Sequence, residues 1–226
     1  MNKLYGIVSC DVVDSTSLST EGFKKLRRDI TDGLFEDLKV AGIKHWGRVV
    51  RGDTIELCLE NPNYALLTAL AVKSWFKLWA AGNADSELMR ESGIRYSIGI
   101  GDMRYIDLSD DIMDGEAIYM AGRNLDYISA HHISSAFGIA NINSEFKMFE
   151  RVIDNNLMLL DFFFERMNSR QCAVVYRKLL GEKEEDIAEL LSISQTAVNL
   201  RSRNAGWPLI RESLRTFSKI VFEDYV

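Results

Sequence analysis

Proline is almost missing from this chain, with two residues in 226, and cysteine and histidine are held to three each. With 47% hydrophobic and 27% charged residues, so little proline excludes a low-complexity or disordered chain and points to a packed globular one. Cys10, Cys58 and Cys172 are odd in number, widely spaced and set in apolar runs. That pattern excludes a disulfide framework and a zinc cluster, and the three are expected as buried reduced thiols. Any stretch of ~18 uncharged apolar residues is also lacking, and the opening MNKLYGIVSCDVVDST has no apolar leader core. A cytoplasmic protein with no membrane partner is therefore expected. A surplus of positive charge is missing too. The net charge of −6 excludes a protein that coats nucleic acid by general phosphate neutralisation, and leaves room only for a local contact. Between Ser194 and Ile220 such a place exists, where Arg201, Arg203, Arg211, Arg215 and Lys219 stand against one acid, Glu212.

What is present alternates between strand and helix signals. Lys3 to Ser9 reads as a buried strand running into the acidic loop CDVVDST. Phe23, Leu26, Ile30, Leu34, Phe35 and Leu38 recur at helical spacing, which predicts a helix over 20–40 with Thr20 as its N-cap. HWGRVV and TIELCLE, separated by Arg51, Gly52 and Asp53, predict a hairpin with an acidic tip. A second helix is expected from Pro62, a strand from Ile94 to Ile100, a helix from Gly115 to Ala130 and a strand at FGIAN. This order is that of an α+β, ferredoxin-like antiparallel sheet with helices. Residues 146–167 predict a long connecting helix, whose Leu157 to Phe164 stretch is expected to join a contact between subunits. Four short helical blocks follow, over 170–180, 184–191, 195–204 and 208–222. The division expected is 1–142, 143–168 and 169–226, the last an all-α unit.

In EDIAELLSISQTAVNLRSRNAGW, Ile187, Leu191, Ile193 and Val198 pin two helices together, and Ala188 is small where they approach. Ser192, Ile193 and Ser194 make the turn, and Ser194 caps the second helix. Gln195, Thr196, Asn199 and Arg203 are left facing outward, with Arg201 beside them, as groups suited to base edges and phosphates. The segment resembles the helix-turn-helix of LuxR-type regulators and of the fourth region of sigma factors, which implies duplex DNA as a partner. A four-helix module that touches protein is the alternative.

Two acids mark strand ends, Asp11 and Asp53. If their strands are neighbours, the carboxylates converge where a divalent cation could bridge them to a triphosphate. Ordinary turn chemistry is the alternative for these two and for Asp14. His131 and His132 read as side chains that satisfy carbonyls at a helix end. CDVVDST resembles the first metal motif of class III adenylate and guanylate cyclases, RGDTIEL their second and IRYSIGIGD the strand that follows. GEAIYMAGRNLD resembles their later helix, which carries an asparagine and, four residues on, an arginine.

By that resemblance Asp11 and Asp53 take the metal positions for Mg2+ or Mn2+ with a nucleoside triphosphate, the Val12 carbonyl is an extra ligand, and Arg123 is the transition-state arginine. Tyr119 stands at the asparagine position and Val49 at that of the base-recognising lysine. The resemblance thus implies a degenerate site that holds metal and nucleotide weakly and turns over slowly or not at all. A likeness to GGDEF diguanylate cyclases is weaker, because Thr54 stands where their motif has an acid. Taken whole, the order of cyclase-like domain, long helix and helix-turn-helix ending AGW…LRESL is similar to the SatD family of bacterial proteins. The function expected is that of a homodimeric DNA-binding transcriptional regulator with a degenerate cyclase-like domain. An active nucleotidyl cyclase whose last helices serve attachment or dimerisation is one alternative, and a pair of protein-interaction modules is another.

Overall fold

The computed structural model describes residues 3–50, 53–83, 93–107, 109–110, 112–141 and 147–223, with the backbone alone for 221–223. Five strands form the main sheet: β1 (Leu4–Val12), β2 (His45–Val50), β3 (Thr54–Leu59), β4 (Ile94–Asp102) and β7 (Ser135–Ile139), in the order β2-β3-β1-β4-β7. All pairings are antiparallel except β4 with β7. The first four strands thus stand in the expected ferredoxin-like order, and the fold is α+β.

Strand alternation divides the core. Val8, Cys10 and Val12 of β1 point to the face covered by α1 (Thr20–Asp29), α2 (Phe35–Val40) and α3 (Ala65–Gly82), whereas Ile7 points to the face covered by α4 (Glu116–His131). The predicted 20–40 helix is continuous but carries a wide π turn at Ile30–Leu34 between α1 and α2. Its cap is Ser19, not Thr20: Ser19 is extended and its hydroxyl accepts from the Gly22 N–H at 3.1 Å, while Thr20 is already helical. A short hairpin, β5 (Tyr105–Asp107) and β6 (Ile112–Asp114), adds Met113 to the α4 face, and no alternation in the sequence marks it.

Helix α4 lies close on the sheet because β4 presents glycine to it. A Cβ on Gly99 would come within 2.3 Å of the Ala117 carbonyl oxygen and 2.7 Å of the Ala121 nitrogen, and backbone atoms cannot step aside. Gly99→Ala is accordingly expected to cost about 1–3 kcal/mol by forcing the helix outward, read as a lowered urea midpoint. An unchanged midpoint would mean that α4 is not seated on this glycine.

The last helices are α5 (Lys147–Arg166), α6 (Ser169–Leu179), α7 (Glu184–Leu190), α8 (Gln195–Asn204) and α9 (Trp207–Glu223). They share the core of the sheet: Leu157, Leu160 and Phe164 of α5, Val175 and Tyr176 of α6, and Ile210 and Phe217 of α9 belong to the same apolar cluster as α3. Edge strand β7 is held by three carboxylates of α5. Glu150 accepts from the Ile139 N–H at 2.8 Å, Asp154 from the Phe137 N–H at 2.7 Å, and Asp161 from the Ser135 hydroxyl at 2.5 Å. Side-chain acceptors thus take edge N–H groups that would otherwise invite a foreign strand.

Burial raises the Asp154 carboxyl above its ordinary value, against the lowering effect of the Phe137 N–H. A carboxyl raised in the fold binds protons more readily folded than unfolded, so its ionisation costs stability as pH rises through the carboxylate range. Asp154→Asn keeps an acceptor for Phe137. It is expected to raise the urea midpoint at neutral pH and to lose that advantage in acid; an advantage independent of pH would refute the assignment.

Cys10, Cys58 and Cys172 are free and buried, as expected, and burial pushes Cys58 up to about 12 and Cys172 up to about 11. Among the described residues no helix is long and apolar enough to cross a membrane.

Candidate functional site

Helices α7 and α8 pack on α6 through a small core of their own, Val174, Ile187, Ala188 and Val198, with Leu191 and Ile193 at its edge. The turn follows from local chemistry. Ser192 adopts a left-handed φ of 51°, its N–H donates to the Glu189 carbonyl at 3.1 Å, and the Ile193 N–H reaches back to Ala188 at 3.0 Å. Ser194 then caps α8 by accepting from the Ala197 N–H at 3.2 Å. Val198 and Ser202 face inward, so Gln195, Thr196, Asn199, Leu200 and Arg203 stand exposed. Arg201 is half-buried toward the inner side of α8, a less accessible place than its sequence neighbourhood suggested. Gln195 donates weakly to Glu185 at 3.4 Å. Glu184, Glu185 and Asp186 open α7, where their charge suits its positive helix end and repels anions.

The other candidate site lies at the end of the sheet. Strands β1 and β3 are neighbours, as the converging carboxylates require, and Asp11 stands opposite Thr54 with Asp53 just beyond. On its other side Asp11 stands opposite Arg95 of β4 and ion-pairs with it, both side chains being about three-quarters buried. Arg95 also donates to Ser129 of α4 at 3.3 Å. Asp53 accepts from the Ser15 hydroxyl. Asp14 has a left-handed φ of 58°, and its carbonyl accepts from the Ser17 hydroxyl, a local turn contact of the kind held open as the alternative for it.

Val12 is buried and paired opposite Ile94, and Val49 stands opposite Ile55. Arg123 is exposed on α4 with no ion-pair partner among the described residues, and Tyr119 turns its hydroxyl to Asp114. His131 contacts the Tyr127 carbonyl at 2.9 Å, in the role of satisfying the helix end, and His132 ends the helix with a φ of 54°.

A divalent cation needs carboxylates with free lone pairs and room for its charge. Here a guanidinium occupies Asp11 and a hydroxyl occupies Asp53, and among the described residues no group of three or more His, Cys, Asp or Glu side chains is placed to hold a metal. As arranged, a Mg2+ or Mn2+ ion at Asp11 would compete with the Arg95 guanidinium for that carboxylate. Strand order alone pairs the two acids; strand register adds the cation. The signal was available in IRYSIGIGD, because an antiparallel register aligning this strand with LYGIVSCDV sets Arg95 beside Asp11.

No protein-family model matches the chain, and no curated protein matches it. Among solved structures it is similar to one described as a bacterial light-regulated adenylyl cyclase, at 15% identity, over 61% of this chain and 76% of that one, with a TM-score of 0.44.

Proposed function

We propose that the chain is a DNA-binding regulator that reads duplex DNA with α8 and keeps its cyclase-like domain as a scaffold. The observation that carries this reading is the division of α8: Val198 and Ser202 anchor it, while Thr196, Asn199 and Arg203 present amide, hydroxyl and guanidinium groups to solvent. These groups match base edges and phosphates. Arg95 on Asp11 speaks for a scaffold over a metal-dependent cyclase. The kinship proposed is with the SatD family, and it rests on the order of motifs.

Selection from a random duplex library followed by anisotropy titration tests the reading. Asn199→Ala is expected to cost about 1–3 kcal/mol and to relax preference at one base pair. Arg203→Ala is expected to weaken binding to all sequences alike and to reduce the salt slope by about 1. Equal binding by wild type and a Gln195, Thr196, Asn199 and Arg203 quadruple alanine variant would end the proposal. A protein partner is the second reading, favoured by Leu190 and Leu200, which stand more than half exposed on α7 and α8.

A further inference from the structure

We propose that α5 is a self-association helix, and that two copies of the chain pack the outward faces of this helix antiparallel about a two-fold axis. One face of α5 is spent on the chain's own core, with Ile153, Leu157, Leu160 and Phe164 buried. An amphipathic surface helix should be polar on the opposite side. Instead Met148, Val152, Leu159 and Phe162 are 50–65% exposed there, in line with Asn155 and Arg166.

The spacing identifies what covers this face. Positions 148, 152, 155, 159, 162 and 166 alternate steps of four and three, which is the 3.5-residue repeat of a coiled-coil seam. Such a seam fits another helix. The groove beside it, a cavity of about 330 Å3 lined by Val152, Leu159, Phe163, Leu209 and Ile220, widens the apolar surface toward α9.

The charges on α5 select α5 itself as the occupant and fix its direction. In an antiparallel pair centred near Leu157, Val152 of one copy meets Phe162 of the other, Asn155 meets Leu159, and Met148 meets the stem of Arg166. Arg151 then faces Glu165 of the second copy across the flank of the seam. Both are exposed, and neither has an ion-pair partner among the described residues. A parallel pair would set Arg166 against Arg166 and leave Arg151 and Glu165 at opposite ends. Opposite charges flanking a seam are what set partner and orientation in paired helices.

The antiparallel arrangement also separates the two reading helices, because α6 to α8 follow the C-terminal end of α5. A 20-residue helix is about 30 Å long, close to the ~34 Å between half-sites one DNA turn apart. Only this consequence rests on the proposed DNA reading; the association does not.

Disulfide trapping without DNA tests the pairing, since all three native cysteines are buried. Under mild oxidation a Val152→Cys/Phe162→Cys chain should form a covalent dimer, and neither single variant should. Arg151→Glu should weaken association in light scattering, and Glu165→Arg in the same chain should restore it. A single variant that cross-links to itself, a double variant that stays uncross-linked, or a one-chain mass for wild type at micromolar concentration would overturn the proposal.

Discussion

Exchanging Asp161 for alanine is expected to destabilise the protein by about 3–5 kcal/mol, among the larger losses available to a single substitution here. Asp161 of α5 forms an ion pair with Lys73 of α3, and the two residues are 4% and 9% exposed. The second carboxylate oxygen accepts from Ser135 of β7, and the Lys73 ammonium lies 5.6 Å from the centre of the Tyr96 ring. Removing the acid leaves an ammonium in the core with no counter-charge and too little water to replace it.

Lys77, one turn along α3, reinforces the same junction by donating to the Phe164 and Glu165 carbonyls at 2.7 and 2.9 Å. The sheet and the last helices are thus tied through α3 and α5, so the loss should appear as one cooperative unfolding transition at lower urea. The ion pair is expected to give orientation more than stability, and Lys73→Met with Asp161→Leu should recover most of the midpoint. A single Asp161→Ala variant as stable as wild type would show that the pair is not desolvated.

The Lys73 and Asp161 contact also shows where the sequence stops being legible. Each is a lone charge in an apolar run, ALAVKSWFK and LMLLDFFF, and that oddity can be seen without a structure. That the two meet cannot, because they lie 88 residues apart and their pairing depends on how α5 crosses α3. Periodicity located α5 and the four terminal helices to within a residue, whereas the helix expected from Pro62 begins at Ala65, after a 3-10 turn at Pro62–Tyr64. The β5–β6 hairpin escaped because three-residue strands are too short to show alternation. Leu157 to Phe164 was read as one apolar stretch for a contact between subunits. The structure divides it, turning Leu157, Leu160 and Phe164 inward and Met158, Leu159 and Phe162 outward. The exposed face of α8 is legible because it follows from which residues are buried. The state of Asp11 was not, because it follows from strand register.

Arg95→Gln is expected to turn a chain that holds no manganese at the sheet end into one that does. The argument is electrostatic. A divalent cation within about 4 Å of the Arg95 guanidinium would be repelled by about 8 kcal/mol at an effective dielectric constant near 20, twice the value for two unit charges. A metal at Asp11 would have to share the carboxylate with the guanidinium that already faces it from the adjacent strand. Glutamine keeps the hydrogen-bonding length of the side chain and removes its charge, which leaves Asp11 and Asp53 as two carboxylates at neighbouring strand ends. Like charges brought together favour either a proton or a shared metal, and divalent metal is the stronger competitor at neutral pH. Calorimetry with manganese should therefore show binding by Arg95→Gln, none by wild type, and none by the Arg95→Gln/Asp11→Asn double variant. Equal binding by wild type and Arg95→Gln would show that the guanidinium does not occupy the place of the cation. Even the metal-loaded variant should form no cyclic nucleotide, because Tyr119 is engaged with Asp114 and Val49 offers a base no hydrogen bond.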